Sequence, residues 1–143
     1  PKLRILQVVW PVLLVGGVLL LQLQGQRTAA AVGQASLMPS HRAAGEWLAK
    51  NSARGDPVMT RNSEIGLYAD RALVVLPNAT WEQILAYGRA RGARHLVIDT
   101  WEVEELRPQL RLLADTATAP PEVTYLAAFS DPKRTTLIYA LPP

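Results

Sequence analysis

No cysteine occurs anywhere in these 143 residues, which excludes disulfides, thiol catalysis and cysteine-based zinc sites. Histidine is nearly as scarce. His41 and His95 stand far apart and neither has a partner at metal-ligand spacing, so surface or packing roles are expected for both. Charge of a single sign is missing too. Fifteen basic residues face twelve acidic ones, and setting aside Lys2 and Arg4 leaves thirteen against twelve with the signs interspersed, so there is no basic patch of the kind nucleic acid requires. The turn after the first predicted strand reads TRNSEIG where a dinucleotide fingerprint needs G-x-G-x-x-G, and no P-loop, G-x-S-x-G elbow or H-E-x-x-H helix occurs. The expectation is a chain that holds no cofactor and no metal.

The longest absence is one of charge. No Lys, Arg, Asp or Glu lies between Arg4 and Arg27, and residues 5–23 are apolar apart from Gln7 and Gln22. As a helix this run would extend ~28 Å, close to the hydrocarbon thickness of a bilayer. The apolar region of a signal peptide covers only about 7–15 residues, although TAAAVGQAS at 28–36 offers small residues for cleavage. A soluble core helix of this length would show a polar face, and VLLVGGVLLL has none. A transmembrane helix is therefore predicted. Pro11 and the Gly16-Gly17 pair are tolerated in such a helix where neighbours satisfy the freed backbone groups, which points to further helices beside it. Trp10 suits the headgroup boundary, and Lys2 and Arg4 outweigh Arg27 on the other flank. By the positive-inside rule the N-terminus is cytoplasmic and residues after about 26 lie on the extracytoplasmic side of the cell membrane. A chain that starts on Pro and enters a span at once reads as a piece of a longer protein, entered just before its last transmembrane helix.

The expected division is a transmembrane helix over 1–25, a linker over 26–40 and one α/β domain over 41–143. In the linker GQRTAAAVGQASLMPS no period is visible, and from there it becomes regular. Ala44, Trp47 and Leu48 recur at helical spacing in SHRAAGEWLAKN. PVMTR reads as a buried strand, NSEIGLYAD as a helical turn with Ile65, Tyr68 and Ala69 on one face, and ALVVLP as a second strand stopped by Pro77. TWEQILAYGRARG places Trp81, Ile84, Leu85 and Gly88 on one face, with a capping box from Thr80 and Gln83 and a stop at Gly92. RHLVID is a third strand whose unbroken apolar run predicts burial on both faces. Strands alternating with helices imply a parallel β-α-β-α-β core in a three-layer, Rossmann-like domain. LRPQLRLLAD carries Leu106, Leu110 and Leu113 on one helical face. EVTYLAAFS and TTLIYAL, joined by the DPKR turn, should form an antiparallel hairpin that extends the sheet.

In open parallel sheets ligands bind beyond the carboxyl ends of the strands, and that rule gathers Arg61, Asn62, Asn78 and Asp99 on one rim as ligand-binding candidates. Arg61 leads this set, because its permanently charged guanidinium can take a phosphate in a bidentate grip. Each candidate also has an ordinary structural use: Asn62 as a helix cap, Asn78 as a turn residue after Pro77, Asp99 as a cap for the turn that follows it. Glu102, Glu104 and Glu105 are expected on a solvated acidic turn. No catalytic residue is assigned. The tripeptide NAT at 78–80 matches a glycosylation acceptor, but Thr80 already serves as a cap.

An apolar span followed by AAGEWLAKNS, GDPVMTRN, LYADRALVVLPNAT, ILAYGRARGARHLVID, LRPQLRLLAD and a terminal TTLIYAL resembles the C-terminal portion of bacterial membrane glycosyltransferases of family 39. That group is related to the protein mannosyltransferases and the lipid A aminoarabinose transferases. The resemblance covers nearly the whole chain from the span onward and rests on segment order and phrases such as YADR and HLVID. It implies a polytopic GT-C enzyme that moves a sugar from a polyprenyl-phosphate carrier, with its catalytic acidic residues in an early extracytoplasmic loop that has no counterpart here. The partners so implied are the lipid bilayer, the remaining transmembrane helices of the parent and the polyprenyl-phosphate sugar donor or its acceptor. On that basis this piece alone is expected to be non-catalytic. The other reading open at this point is a bitopic, membrane-anchored α/β binding module with no transferase attached.

Overall fold

The computed structural model describes residues 38–143, which make one compact unit. The predicted span and most of the predicted linker lie outside the described residues, and among the described residues no helix is long and apolar enough to cross a membrane.

Helix α1 (Pro39–Asn51) opens on a proline, which is favourable in a first turn because its missing N–H would have had no partner there. Pro39 and Ser40, expected in the linker, therefore belong to the first helix of the domain. Strand β1 (Val58–Thr60), helix α2 (Ser63–Ala69), strand β2 (Leu73–Val75), helix α3 (Trp81–Ala90) and strand β3 (His95–Asp99) follow in the expected order. Both ends of α3 are set locally. Gln83 N–H donates to Thr80 Oγ1 at 3.4 Å and Thr80 N–H returns to Gln83 Oε1 at 3.1 Å, which is the capping box. At the other end Gly92 adopts φ +66°, and the N–H groups of Gly92 and Ala93 close onto the carbonyls of Arg89 and Gly88 in a Schellman motif.

After β3 a π-helical turn (Glu102–Leu106) and a 3-10 helix (Pro108–Leu113) lead to the hairpin of β4 (Thr124–Ser130) and β5 (Thr135–Ala140). Here one expectation is corrected. Leu110 and Leu113 are buried three residues apart on the 3-10 helix, but Leu106 is 42 % exposed. The wide turn ends at Leu106 and Pro108 cannot continue it, so the two segments do not share one helical face.

The five strands form a mixed α/β sheet in the order β2-β1-β3-β5-β4. β1 is parallel to β2 and β3, and β5 is antiparallel to β3 and β4, so the hairpin extends the parallel part. Side chains alternate along each strand, and this sorts the core into two. Val58, Val97 and Ile138 face α1 and α2 through Ala44, Leu48, Ile65 and Ala69. Met59, Leu96, Ile98 and Tyr139 face the other way, toward Ile84 of α3 and Leu110 and Leu113. All five residues of β3 are buried, which accounts for its unbroken apolar run. Each fully buried Leu or Ile contributes about 1.5–3 kcal/mol.

α1 and α2 approach so closely at Gly45 that a Cβ there would lie 2.5 Å from Tyr68 Cβ and 2.9 Å from the Ile65 carbonyl oxygen. Gly45→Ala would gain up to about 1 kcal/mol of helix propensity. Overpacking against a backbone carbonyl that cannot rotate away costs about 1–3 kcal/mol, so a net loss of stability is expected, read as a lower urea midpoint with unchanged slope.

Candidate functional site

The strand order reverses between β1 and β3: β2 lies on one side of β1 and β3 on the other. Such a switch point opens a crevice at the carboxyl ends of the two strands, because the connections leave in opposite directions. The residues just past these ends are Arg61 and Asn62 after β1 and Thr100 and Trp101 after β3, with Asp99 closing β3 itself.

Asp99 is fully buried and is the hub of this rim. Its Oδ1 accepts the Glu102 N–H at 2.7 Å, which caps the following turn, and its Oδ2 accepts Asn62 Nδ2 at 3.1 Å and faces His41 Nε2 at 3.0 Å. Arg134 Nη1 stands 3.5 Å from the same oxygen. Burial pushes the Asp99 carboxyl up, but the hydrogen bonds from His41 and Glu102 and the charges of His41 and Arg134 outweigh it and hold the group below its ordinary value. His41, itself buried in the first turn of α1, reaches Glu64 of α2 with its other ring nitrogen at 2.6 Å. Burial disfavours its charge, yet hydrogen bonds to Asp99 and Glu64 prevail and raise its pKa, so the imidazolium links α1, α2 and β3.

Glu102 is the second fully buried carboxylate. Arg107 Nη1 donates to its Oε1 at 2.5 Å while Arg107 Nη2 donates to the Leu76 carbonyl at 3.0 Å, and Arg61 Nε lies 3.7 Å from Oε1. Burial raises the pKa of Glu102 despite the Arg107 charge, and the nearby Asp99 adds to that rise. Trp101 projects between the two carboxylates' cations: Arg61 Cζ is 5.6 Å and Arg134 Cζ 5.4 Å from its ring centroid, within cation–π range.

Of the four candidates read from the sequence, Asn62 and Asp99 are brought into direct contact, and Arg61 joins them through Glu102 and Trp101. Asn62 occupies the N-cap of α2 but makes no side-chain cap hydrogen bond, its amide being turned to Asp99. Asn78 is elsewhere. It follows the outer strand β2, and its Oδ1 accepts Gln109 Nε2 at 2.9 Å beside the 3-10 helix. The acidic turn also differs from expectation: Glu104 and Glu105 are exposed as anticipated, but Glu102 points inward because the π-turn starts just past the end of the central strand β3 and Arg107, five residues on, folds back to meet it. His41, Glu64, Glu102, Arg107 and Arg134 are the site residues that pattern reading passed over. For Arg134 a signal existed in the hairpin, since the pairing of β5 with β3 sets Thr136 opposite Asp99 and so brings the DPKR turn to this rim.

What this arrangement does chemically is hold fixed charge. Four cationic side chains, counting protonated His41, face three carboxylates, and no hydroxyl is placed on His41 as a nucleophile would be. Among the described residues no group of His, Asp and Glu is arranged to hold a metal ion. Set against protein families, characterised proteins and solved structures, the chain finds no match in any of the three.

Proposed function

We propose that residues 38–143 form the extracytoplasmic accessory domain that follows the last transmembrane helix of a polytopic membrane glycosyltransferase, one that uses a polyprenyl-phosphate-linked sugar. The observation that carries this reading is the uncharged run over 5–23, followed by the order of helix and strand segments that resembles family 39. Residues 5–23 are the span, and the domain beyond it is Rossmann-like. Its charged rim of Arg61, Asn62 and Asp99 is where donor or acceptor would be met, while the sugar transfer itself belongs to a loop of the parent.

The upstream reading frame tests this most cheaply. A series of further apolar spans preceded by an early acidic extracytoplasmic loop is the expected result, and a frame with no further span overturns the transferase reading in favour of the bitopic module. A biochemical counterpart is the purified 26–143 piece, which should neither hydrolyse nor transfer a polyprenyl-phosphate-linked sugar. Turnover by that piece would contradict the accessory role.

A further inference from the structure

Arg134 is the least satisfied charge on the rim. Its side chain is only 9 % exposed, yet its Nε is buried with no hydrogen-bond partner and its closest carboxylate, Asp99, stands 3.5 Å away and is already engaged by His41, Asn62 and the Glu102 N–H. A buried N–H without an acceptor is costly, so this Nε is expected to meet one. Two more buried polar atoms nearby are also without partners: Thr136 Oγ1, in register with Asp99, and Glu102 Oε2. The chain offers no spare anion from its N-terminal side, since no Asp or Glu occurs before Glu46.

We infer that Arg134 and Arg61, flanking Trp101 at the mouth of the β1/β3 crevice, form a binding site for a phosphate group. Trp101 lies within cation–π range of both guanidiniums, each of which offers a planar fork of donors suited to tetrahedral oxygens, which a lysine could not reproduce. Arg61 is 35 % exposed and Trp101 38 % exposed, so the mouth is open to a ligand while Arg134 forms its floor. Thr136 Oγ1 supplies a hydroxyl donor. The two carboxylates do not veto an anion here. Asp99 is paired with His41, and Glu102 with Arg107, which donates to its Oε1. The site deepens the rim's part in the proposed function and rests on that reading only for a lipid as the phosphate's carrier.

The test uses the full chain in a phosphate-free detergent, titrated with inorganic phosphate by calorimetry and followed by the rise in melting temperature that binding imposes. Saturable binding is expected, weakened about tenfold or more in Arg134→Gln, since charge-assisted hydrogen bonds of this kind are lost together. Arg134→Lys should restore it only in part, and Arg91→Gln, which removes an equal charge from a residue stacked on Tyr87, should leave it unchanged. Should Arg134→Gln fail to fold, the more exposed Arg61→Gln carries the same test. A second arm places the chain in phosphatidylcholine nanodiscs with and without polyprenyl monophosphate: displacement of free phosphate by the lipid identifies a lipid-borne ligand, and lack of competition identifies a soluble phosphate. Absence of saturable binding by the folded parent chain, or binding indifferent to both arginine variants, would overturn the inference and leave the orphan atoms to water. Neither result depends on the upstream reading frame, so the site and the transferase assignment fail separately.

Discussion

Val97→Asp is expected to prevent the domain from folding. Val97 lies in β3, the middle strand of the five, is fully buried, and packs with Val58 and Ile138 against α1 and α2. Its aspartate replacement would lose that apolar contact and place a carboxylate where no cation or donor is near, since the charged rim begins two residues later at Asp99. The penalty for an unpaired buried charge and the lost packing together amount to several kcal/mol, against a total stability of about 5–15 kcal/mol for a domain of this size. Val97→Ala, which leaves only a cavity, should cost less and still fold. Far-UV circular dichroism with thermal melting separates the outcomes, and a Val97→Asp protein that melts at the parent temperature would contradict the sheet order described here.

Asp99→Ala should have the next largest effect, about 3–5 kcal/mol, because it leaves His41 Nε2, Asn62 Nδ2 and the Glu102 N–H without their acceptor in a closed interior. It should also change how stability depends on pH. His41 has a raised pKa in the folded state, so its contribution is complete below its ordinary 6.5 and is lost as pH rises through the folded value. Glu102, also raised, acts in the same direction from its ordinary 4.5 upward. Asp99 has a lowered pKa, so its contribution is complete above its ordinary 3.8 and is lost as pH falls. Burial lowers the pKa of His95, whose contribution runs the other way across 6.5, so the coupling is read from the difference between two proteins. From below to above that value the urea midpoint of the parent should fall more, or rise less, than that of Asp99→Ala, where His41 keeps only Glu64. Parallel pH profiles for the two proteins would mean that His41 and Asp99 are not coupled.

How much of this was legible beforehand depended on the range of the forces involved. The Thr80–Gln83 cap, the Gly92 stop, the buried run of β3 and the terminal hairpin are local or periodic features, and each appears where composition and spacing placed it. Arg61, Asn62 and Asp99 were accessible because a general rule about strand ends selected them, whereas the same rule wrongly grouped Asn78 with them. What it lacked was the strand order: β2 lies outside β1, so the end of β2 is not at the switch point. His41 could not be read from spacing at all, since it reaches Asp99 from 58 residues away through helix docking, and Arg134, 35 residues away, was signalled only by the hairpin whose register with β3 brings it to this rim. Glu102 was misjudged because an acidic cluster is usually solvated, and only the return of Arg107 in a π-turn makes burial of its first member tolerable.

The topology proposed for this chain puts the α/β domain outside the cytoplasm, after a span over residues 5–23. It is tested most directly by two fusions after residue 50, one to a reporter enzyme that works only outside the cytoplasm and one to a reporter that works only within it. Activity of the first with silence of the second is the predicted result, and it should invert or vanish when Lys2 and Arg4 are moved to the other flank of the run. Activity of the cytoplasmic reporter alone in the unaltered chain would contradict the claim.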